Sequence, residues 1–164
     1  LPLAAGQLGG NVVRIRLNAA GNKIAATTLD GWLYVGDVNA TDGTISGVTE
    51  AQAAQSANLE EVVLDPTGQN VYTDDQDNSG IYEFSTAGGT LTALPGSPIL
   101  TPLGPMGMET DSSGTHLYLG ALGFPKSQIL TFSRDLSTGK LTATGNSVST
   151  EALFPNRIVR VPAH

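Results

Sequence analysis

The sequence predicts an all-β fold, a β-propeller segment of four-stranded antiparallel blades, with about three blades in its 164 residues. Three observations predict it. The composition is strand-like: Thr, Ser and Gly are abundant, only 14% of residues are charged, and the helix formers Lys and Glu are scarce. The turn Asn18-Ala19-Ala20-Gly21 recurs as Asp65-Pro66-Thr67-Gly68 and as Asp111-Ser112-Ser113-Gly114, with periods of 47 and then 46 residues. Each copy of the turn is embedded in the same succession of short apolar, β-rich stretches. Four antiparallel strands in about 40 to 50 residues fit a propeller blade, whereas ankyrin and tetratricopeptide units are shorter and helical.

The elements follow in order. Before the repeated turn lies the first strand of each unit, at residues 13–17, 62–64 and 108–110. After it comes the second, at 23–27, 69–73 and 115–119, with Val71-Tyr72 and Leu117-Tyr118 in equivalent places. The third is carried by Gly31-Trp32-Leu33-Tyr34-Val35, Gly80-Ile81-Tyr82-Glu83-Phe84 and Ser127-Gln128-Ile129-Leu130-Thr131-Phe132. A glycine turn then leads into the fourth, at Gly43-Thr44-Ile45, Gly89-Thr90-Leu91-Thr92-Ala93 and Gly139-Lys140-Leu141-Thr142-Ala143. The blades are expected over about 12–58, 59–104 and 105–154, with the start of a fourth at 155–164. The recurring aromatics Trp32, Tyr34, Tyr72, Tyr82, Phe84, Tyr118 and Phe132 suit packing between blades; a carbohydrate-stacking surface is the alternative.

The stretch Val63-Leu64-Asp65-Pro66-Thr67-Gly68-Gln69-Asn70-Val71-Tyr72, followed by Ile81-Tyr82-Glu83-Phe84 and Gly89-Thr90-Leu91-Thr92, resembles the repeat of the lactonase-type, or YVTN-repeat, propellers. That seven-bladed family includes phosphogluconolactonase and carboxymuconate-cyclising enzymes. The resemblance covers roughly residues 12 to 162. It implies a ring with more blades than three, since propellers close with about four to eight. The missing blades are expected either in further chain or in further copies of this one, whose end faces would otherwise expose apolar residues.

Charge and composition narrow the functional classes. Fifteen acidic against eight basic residues give a net charge of −7, which repels a phosphate backbone, so no nucleic-acid partner is expected. There is no cysteine, which excludes thiolate metal sites and cysteine nucleophiles. No run of about 18 apolar residues exists, so no membrane-spanning helix is expected. The opening Leu1-Pro2-Leu3-Ala4-Ala5-Gly6 has no Met and reads as a processed secreted protein or a cut chain, and a secreted or extracytoplasmic location is expected. Asn39-Ala40-Thr41 matches an N-glycosylation acceptor, a triplet that Thr-rich chains also produce by chance.

Ligand sites in propellers sit at the mouth of the central channel, on the loops entering each innermost strand. In this repeat the position is held by Leu59-Glu60-Glu61, Pro105-Met106-Gly107, Pro155-Asn156-Arg157 and Val13-Arg14. The resemblance implies that this position supplies charged groups to the channel, making Glu61, Arg157 and Arg14 the candidate catalytic residues. A carboxylate beside guanidinium groups can serve as general base to a water or stabilise a developing oxyanion. The plain alternative is an Arg/Glu ion pair lining the channel. No His occupies the register, a departure from the family pattern that counts against hydrolysis.

The remaining polar motifs are weaker. Asp75, Asp77, Ser79 and Glu83 place oxygens around a hairpin with Gly80 at its turn, a candidate calcium array whose alternative is a solvated turn. No other cofactor is required. His116 stands mid-strand without an orienting carboxylate beside it in sequence, and His164 ends the chain. No Gly-x-Ser-x-Gly elbow is present, and Gly88-Gly89 and Gly104-Pro105-Met106-Gly107 read as turns. Two functions are therefore expected: a lactonase-like hydrolase or cycloisomerase acting on a small carboxylated or sugar-derived ring, or a non-catalytic secreted or surface binding and assembly module. The partners are correspondingly a small molecule at the channel mouth or further copies closing the ring as an oligomer.

Overall fold

A computed structural model describes residues 10–53, 58–151, 155 and 157–160. They form three antiparallel sheets in chain order. The first blade holds β1 (Val12–Leu17), β2 (Lys23–Thr28), β3 (Trp32–Val38) and β4 (Ile45–Gln52), hydrogen-bonded in that order. The second holds β5 (Val62–Leu64), β6 (Asn70–Asp75), β7 (Gly80–Ser85) and β8 (Thr92–Ala93), with β9 (Ile99–Leu100) also paired to β7. The third holds β10 (Gly104–Thr110), β11 (His116–Leu122), β12 (Gln128–Arg134) and β13 (Leu141–Ser149). These are the four-stranded blades of a propeller, and no helix among the described residues is long and apolar enough to cross a membrane.

The repeated turn is built the same way each time. The side-chain Oδ1 of Asn18 accepts the Asn22 and Lys23 N–H groups at 3.0 Å, Asp65 Oδ1 accepts Gln69 N–H at 3.0 Å, and Asp111 Oδ1 accepts Thr115 N–H at 2.8 Å. The glycine closing each turn lies at positive φ, +70° at Gly21, +75° at Gly68 and +70° at Gly114, where a side chain is strained. The Asx side chain and the glycine thus fold back the first strand onto the second in every blade.

Two elements differ from the sequence expectation. Gly104-Pro105-Met106-Gly107 belongs to β10 and is not a turn: the register slips between Pro105 and Gly107, and a bulge there tolerates a proline that has no N–H for the ladder. The outer strand of the second blade is split into β8 and β9, because Leu94-Pro95-Gly96-Ser97-Pro98 interrupts the ladder with two residues that cannot donate. Of the expected fourth-blade start, Pro155 and residues 157–160 are described and none lies in a strand; His164 lies outside the described residues.

Strand alternation gives each blade two faces and the molecule two joints. Between the first and second blades, Ala25, Leu33 and Val35 pack on Val62, Leu64, Val71 and Phe84. Between the second and third, Val63, Tyr72 and Ile81 pack on Met108, Leu117, Leu119, Phe132 and Leu141. Among the described residues nothing packs on the outer face of the first blade, and Val12, Val13, Ile15 and Leu17 are exposed. That face encloses a wholly apolar hollow of about 200 Å³ lined by residues such as Ile15, Ile24, Tyr34 and Val48.

Candidate channel-mouth site

The first strands β1, β5 and β10 lie side by side at the centre of the three blades. Period-2 alternation along β1 turns Arg14 and Arg16 to the face that meets the second blade, while Ile15 and Leu17 turn away. Both guanidinium groups converge on Glu61, which enters β5. Arg14 Nε lies 3.3 Å from Glu61 Oε1 and Arg16 Nη2 lies 3.0 Å from Oε2. Arg14 Nε also donates to the Glu60 carbonyl at 3.2 Å.

Glu61 is 1% exposed, whereas the side chains of Arg14 and Arg16 are 32% and 21% exposed. Burial pushes the Glu61 carboxyl above its ordinary pKa. Arg16, the Val62 N–H, Arg14 and, most weakly, Arg157 pull in the opposite direction without cancelling it. The structure therefore brings Glu61 and Arg14 into direct contact. Arg157 is exposed and reaches Glu61 through its charge.

A second carboxyl holds this corner in place. Asp74 is buried, and its Oδ1 accepts the N–H groups of Glu60 at 3.0 Å and Glu61 at 2.7 Å. Its Oδ2 has no hydrogen-bond partner among the described residues. Burial, against the help of those N–H donors, pushes the Asp74 pKa up to about 8, with the nearby Glu61 and Glu60 charges adding to the rise. Asp74 is thus a neutral carboxyl at pH 7 that positions the Glu60-Glu61 backbone. Thr73 Oγ1 donates to the Glu61 carbonyl at 2.8 Å and completes the anchoring.

Further along the same strands a polar cavity of about 120 Å³ is lined by Arg16, Leu17, Leu64, Glu109, Thr110 and Arg160. Arg16 joins the two places, since it holds Glu61 and borders the cavity. Neither Arg16 nor Asp74 was singled out by sequence reasoning. The signal for Arg16 was available: a residue two places after Arg14 on a strand shares its face. For Asp74 no local signal distinguishes it from its neighbours Thr73 and Asp75.

The calcium array is not brought together. Asp75 pairs with Gly80 across the β6–β7 ladder, so Tyr82 and Phe84 share its face and Glu83 points to the other. Asp75 accepts Asn78 N–H at 3.1 Å and Asn78 Nδ2 at 2.8 Å, closing its own turn. Glu83 faces the third blade and accepts Leu141 N–H at 2.7 Å. Asp77 is exposed, and Ser79 takes the strained positive φ of 51° in the turn. Among the described residues no three His, Asp or Glu side chains form a metal-binding group. His116 does have an orienting carboxylate, contrary to the sequence expectation: Asp111 Oδ2 lies 3.2 Å from its Nδ1, across the turn that joins β10 to β11.

No protein-family model matches the chain, and no curated protein matches it in sequence. Solved structures do match in fold. A candidate 6-phosphogluconolactonase from Bacteroides fragilis NCTC 9343 superposes with a TM-score of 0.72 at 21% identity, over 86% of this chain and 40% of its own. The periplasmic gluconolactonase PpgL of Pseudomonas aeruginosa gives 0.69 at 17% identity, over 85% and 40%. The β-propeller domain of Myceliophteria thermophila Cps50 (Swd1) gives 0.57 at 14% identity, over 85% and 43%. The chain spans less than half the length of each of these proteins.

Proposed function

We propose that this chain is part of a lactonase-like propeller whose channel mouth takes a small carboxylated or sugar-derived lactone. The observation that carries the reading is Glu61, buried and bridged by Arg14 and Arg16 where two neighbouring blades meet at the channel. The likeness in fold to a candidate 6-phosphogluconolactonase and a gluconolactonase supports it at the level of architecture. Arg14 and Arg157 would bind the anionic substrate, and Arg14, one third exposed, offers N–H groups to the oxygen that becomes negative as water adds to the carbonyl. Glu61, whose proton affinity burial has raised, takes the proton of that water; the ring C–O bond then breaks and the proton passes to the departing alkoxide. The extracytoplasmic location expected from the sequence accords with the periplasmic relative in fold.

The test is hydrolysis of glucono-δ-lactone and 6-phosphogluconolactone, followed by acid release in a pH-stat. Glu61→Gln and Arg14→Met should each lower the rate by about 100-fold, the loss typical of removing a general base or an oxyanion donor. Rates at the spontaneous background in the parent chain, or unchanged in both variants, would refute the reading.

A second reading, a non-catalytic assembly module, is favoured by the apolar outer face of the first blade, where Ile15 is 55% and Leu17 56% exposed. Sedimentation velocity tests it. Self-association abolished by Ile15→Asp supports the module, and a monomer at micromolar concentration removes it.

A further inference from the structure

The joint between the second and third blades contains an occupied arginine site. Arg134, in the third strand of the third blade, is buried against the second blade. Its Nη2 donates to Asp65 Oδ2 and to Asn70 Oδ1 at 2.7 Å, its Nε donates to Tyr72 Oη at 2.8 Å, and its Nη1 donates to the Gly114 carbonyl at 3.1 Å. Asp65, Asn70 and Tyr72 all belong to the second blade, on the face turned towards the third.

The 46-residue repeat carries that face one blade further. Asp65 maps onto Asp111, Asn70 onto His116 and Tyr72 onto Tyr118. The ladder confirms the register, because Tyr72 pairs with Glu83 and Tyr118 pairs with Thr131 at the same place. Asp111 Oδ1 is used as Asp65 Oδ1 is used, by its own turn, here by Thr115 N–H and Ser113 Oγ. Asp111 Oδ2, the oxygen that its counterpart gives to Arg134, is turned to His116 Nδ1 at 3.2 Å and Thr115 Oγ1 at 3.0 Å. The His116 and Tyr118 rings stack at 6.4 Å beside it. Whereas Asp65 is fully buried, the Asp111 side chain is 25% and His116 43% exposed.

We propose that Asp111, His116 and Tyr118 form an arginine socket that receives a further propeller blade carrying an arginine at the register of Arg134 in its third strand. The path of the chain supports this occupant. The Pro155 carbonyl lies against Gly120, where a Cβ would collide with it, and Arg160 Nη1 reaches the Asp111 carbonyl at 3.5 Å. Residues leaving the third blade therefore already run over the face that carries the socket. A second copy of this chain fits poorly by contrast. Ala25 pairs with Val35 where Tyr118 pairs with Thr131, which puts Val38 in the first blade at the register of Arg134. The first blade offers an apolar side chain to a socket built for a cation.

A chimera tests the proposal: a copy of residues 111–151, including its arginine, is joined after Arg160 to complete a fourth blade in register. A double-mutant cycle then combines Asp111→Asn in the original blade with the appended arginine changed to Met, and reads the thermal midpoint. The arginine form should melt several degrees above the Met form, and Asp111→Asn should erase that difference. Equal effects of Asp111→Asn in both forms would overturn the socket. A measurement on the unfused chain guards against an appended blade that does not fold. Arginine methyl ester at millimolar concentration should shift the His116 and Tyr118 ring signals in the NMR spectrum, and the shifts should vanish in Asp111→Asn. An identical response to lysine methyl ester, or self-association that Ile15→Asp abolishes and Asp111→Asn leaves intact, would overturn it.

Discussion

The two joints of the molecule use the same chemical pair, arginine and carboxylate, to opposite ends. At the joint between the first and second blades the carboxylate of Glu61 is buried while Arg14 and Arg16 remain partly exposed. At the joint between the second and third the guanidinium itself is sealed in, with the Arg134 side chain 5% and Asp65 0% exposed, and four acceptors consume its donors. Burial decides the role. A guanidinium with four of its five N–H groups engaged away from water holds blades together, and one with open N–H groups is available to a ligand. The apolar parts of the two joints are alike in kind, so the difference lies in how far the guanidinium is withdrawn from water.

The largest expected effect breaks the sealed joint. Arg134→Met leaves Asp65 Oδ2 and Asn70 Oδ1 buried without their donor, while the Tyr72 hydroxyl keeps the Gly139 carbonyl, and removing one member of a buried ion pair costs about 3–5 kcal/mol. Urea unfolding should show that loss in the midpoint, with Asp65→Asn recovering part of it in the double variant. If Arg134→Met changes stability by less than a surface substitution does, the lock does not exist.

At the open joint the expected effect on stability is smaller. Glu61→Gln keeps the shape and the Val62 N–H contact while leaving Arg14 and Arg16 half-solvated, so a loss of about 1–2 kcal/mol is expected, within the range for hydrogen bonds to charged groups. The contrast with Arg134→Met is the measurement: a larger loss at Glu61 would make the channel-side pair the main lock and reverse the comparison. The exposed pair Lys126–Glu151, at 2.6 Å with Glu151 90% exposed, sets the lower end. Lys126→Ala should move the midpoint by less than about 0.5 kcal/mol, as surface ion pairs do.

Much of this was legible in the sequence because it is local or periodic. The Asx-to-Gly turn and the alternation of faces fix where each blade starts and which residues enter a joint, and Glu61, Arg14 and Arg157 became candidates through that register together with the family resemblance. Arg134 was not legible, because its partners in the second blade lie 62 to 69 residues away and only the packing of two sheets brings them together. The hairpin from Asp75 to Glu83 misled through composition: oxygens were counted along the chain, while strand parity sends Asp75 and Glu83 to opposite faces. Its immediate neighbour Asp74, one residue from the expected metal ligand, carries the structural role instead.

Asp74 yields the effect that separates the joints by titration. Its pKa in the folded chain is about 8 against an ordinary value of 3.8, so between those values the folded state holds a proton that the unfolded state has released. Stability from this group is fully present below about pH 4 and is lost as pH rises through 8. Glu61 and Glu83, also raised by burial, contribute with the same sign. Asp74→Asn keeps the oxygen that accepts the Glu60 and Glu61 N–H groups and removes the titration. The variant should therefore match the parent most closely near pH 4 and exceed it increasingly up to pH 9, where the parent must carry a buried anion beside Glu61. Urea midpoints across that range would show the parent falling more steeply than the variant. Parallel curves would mean that Asp74 ionises freely, and that the corner holding Glu61 is wetter than its burial implies.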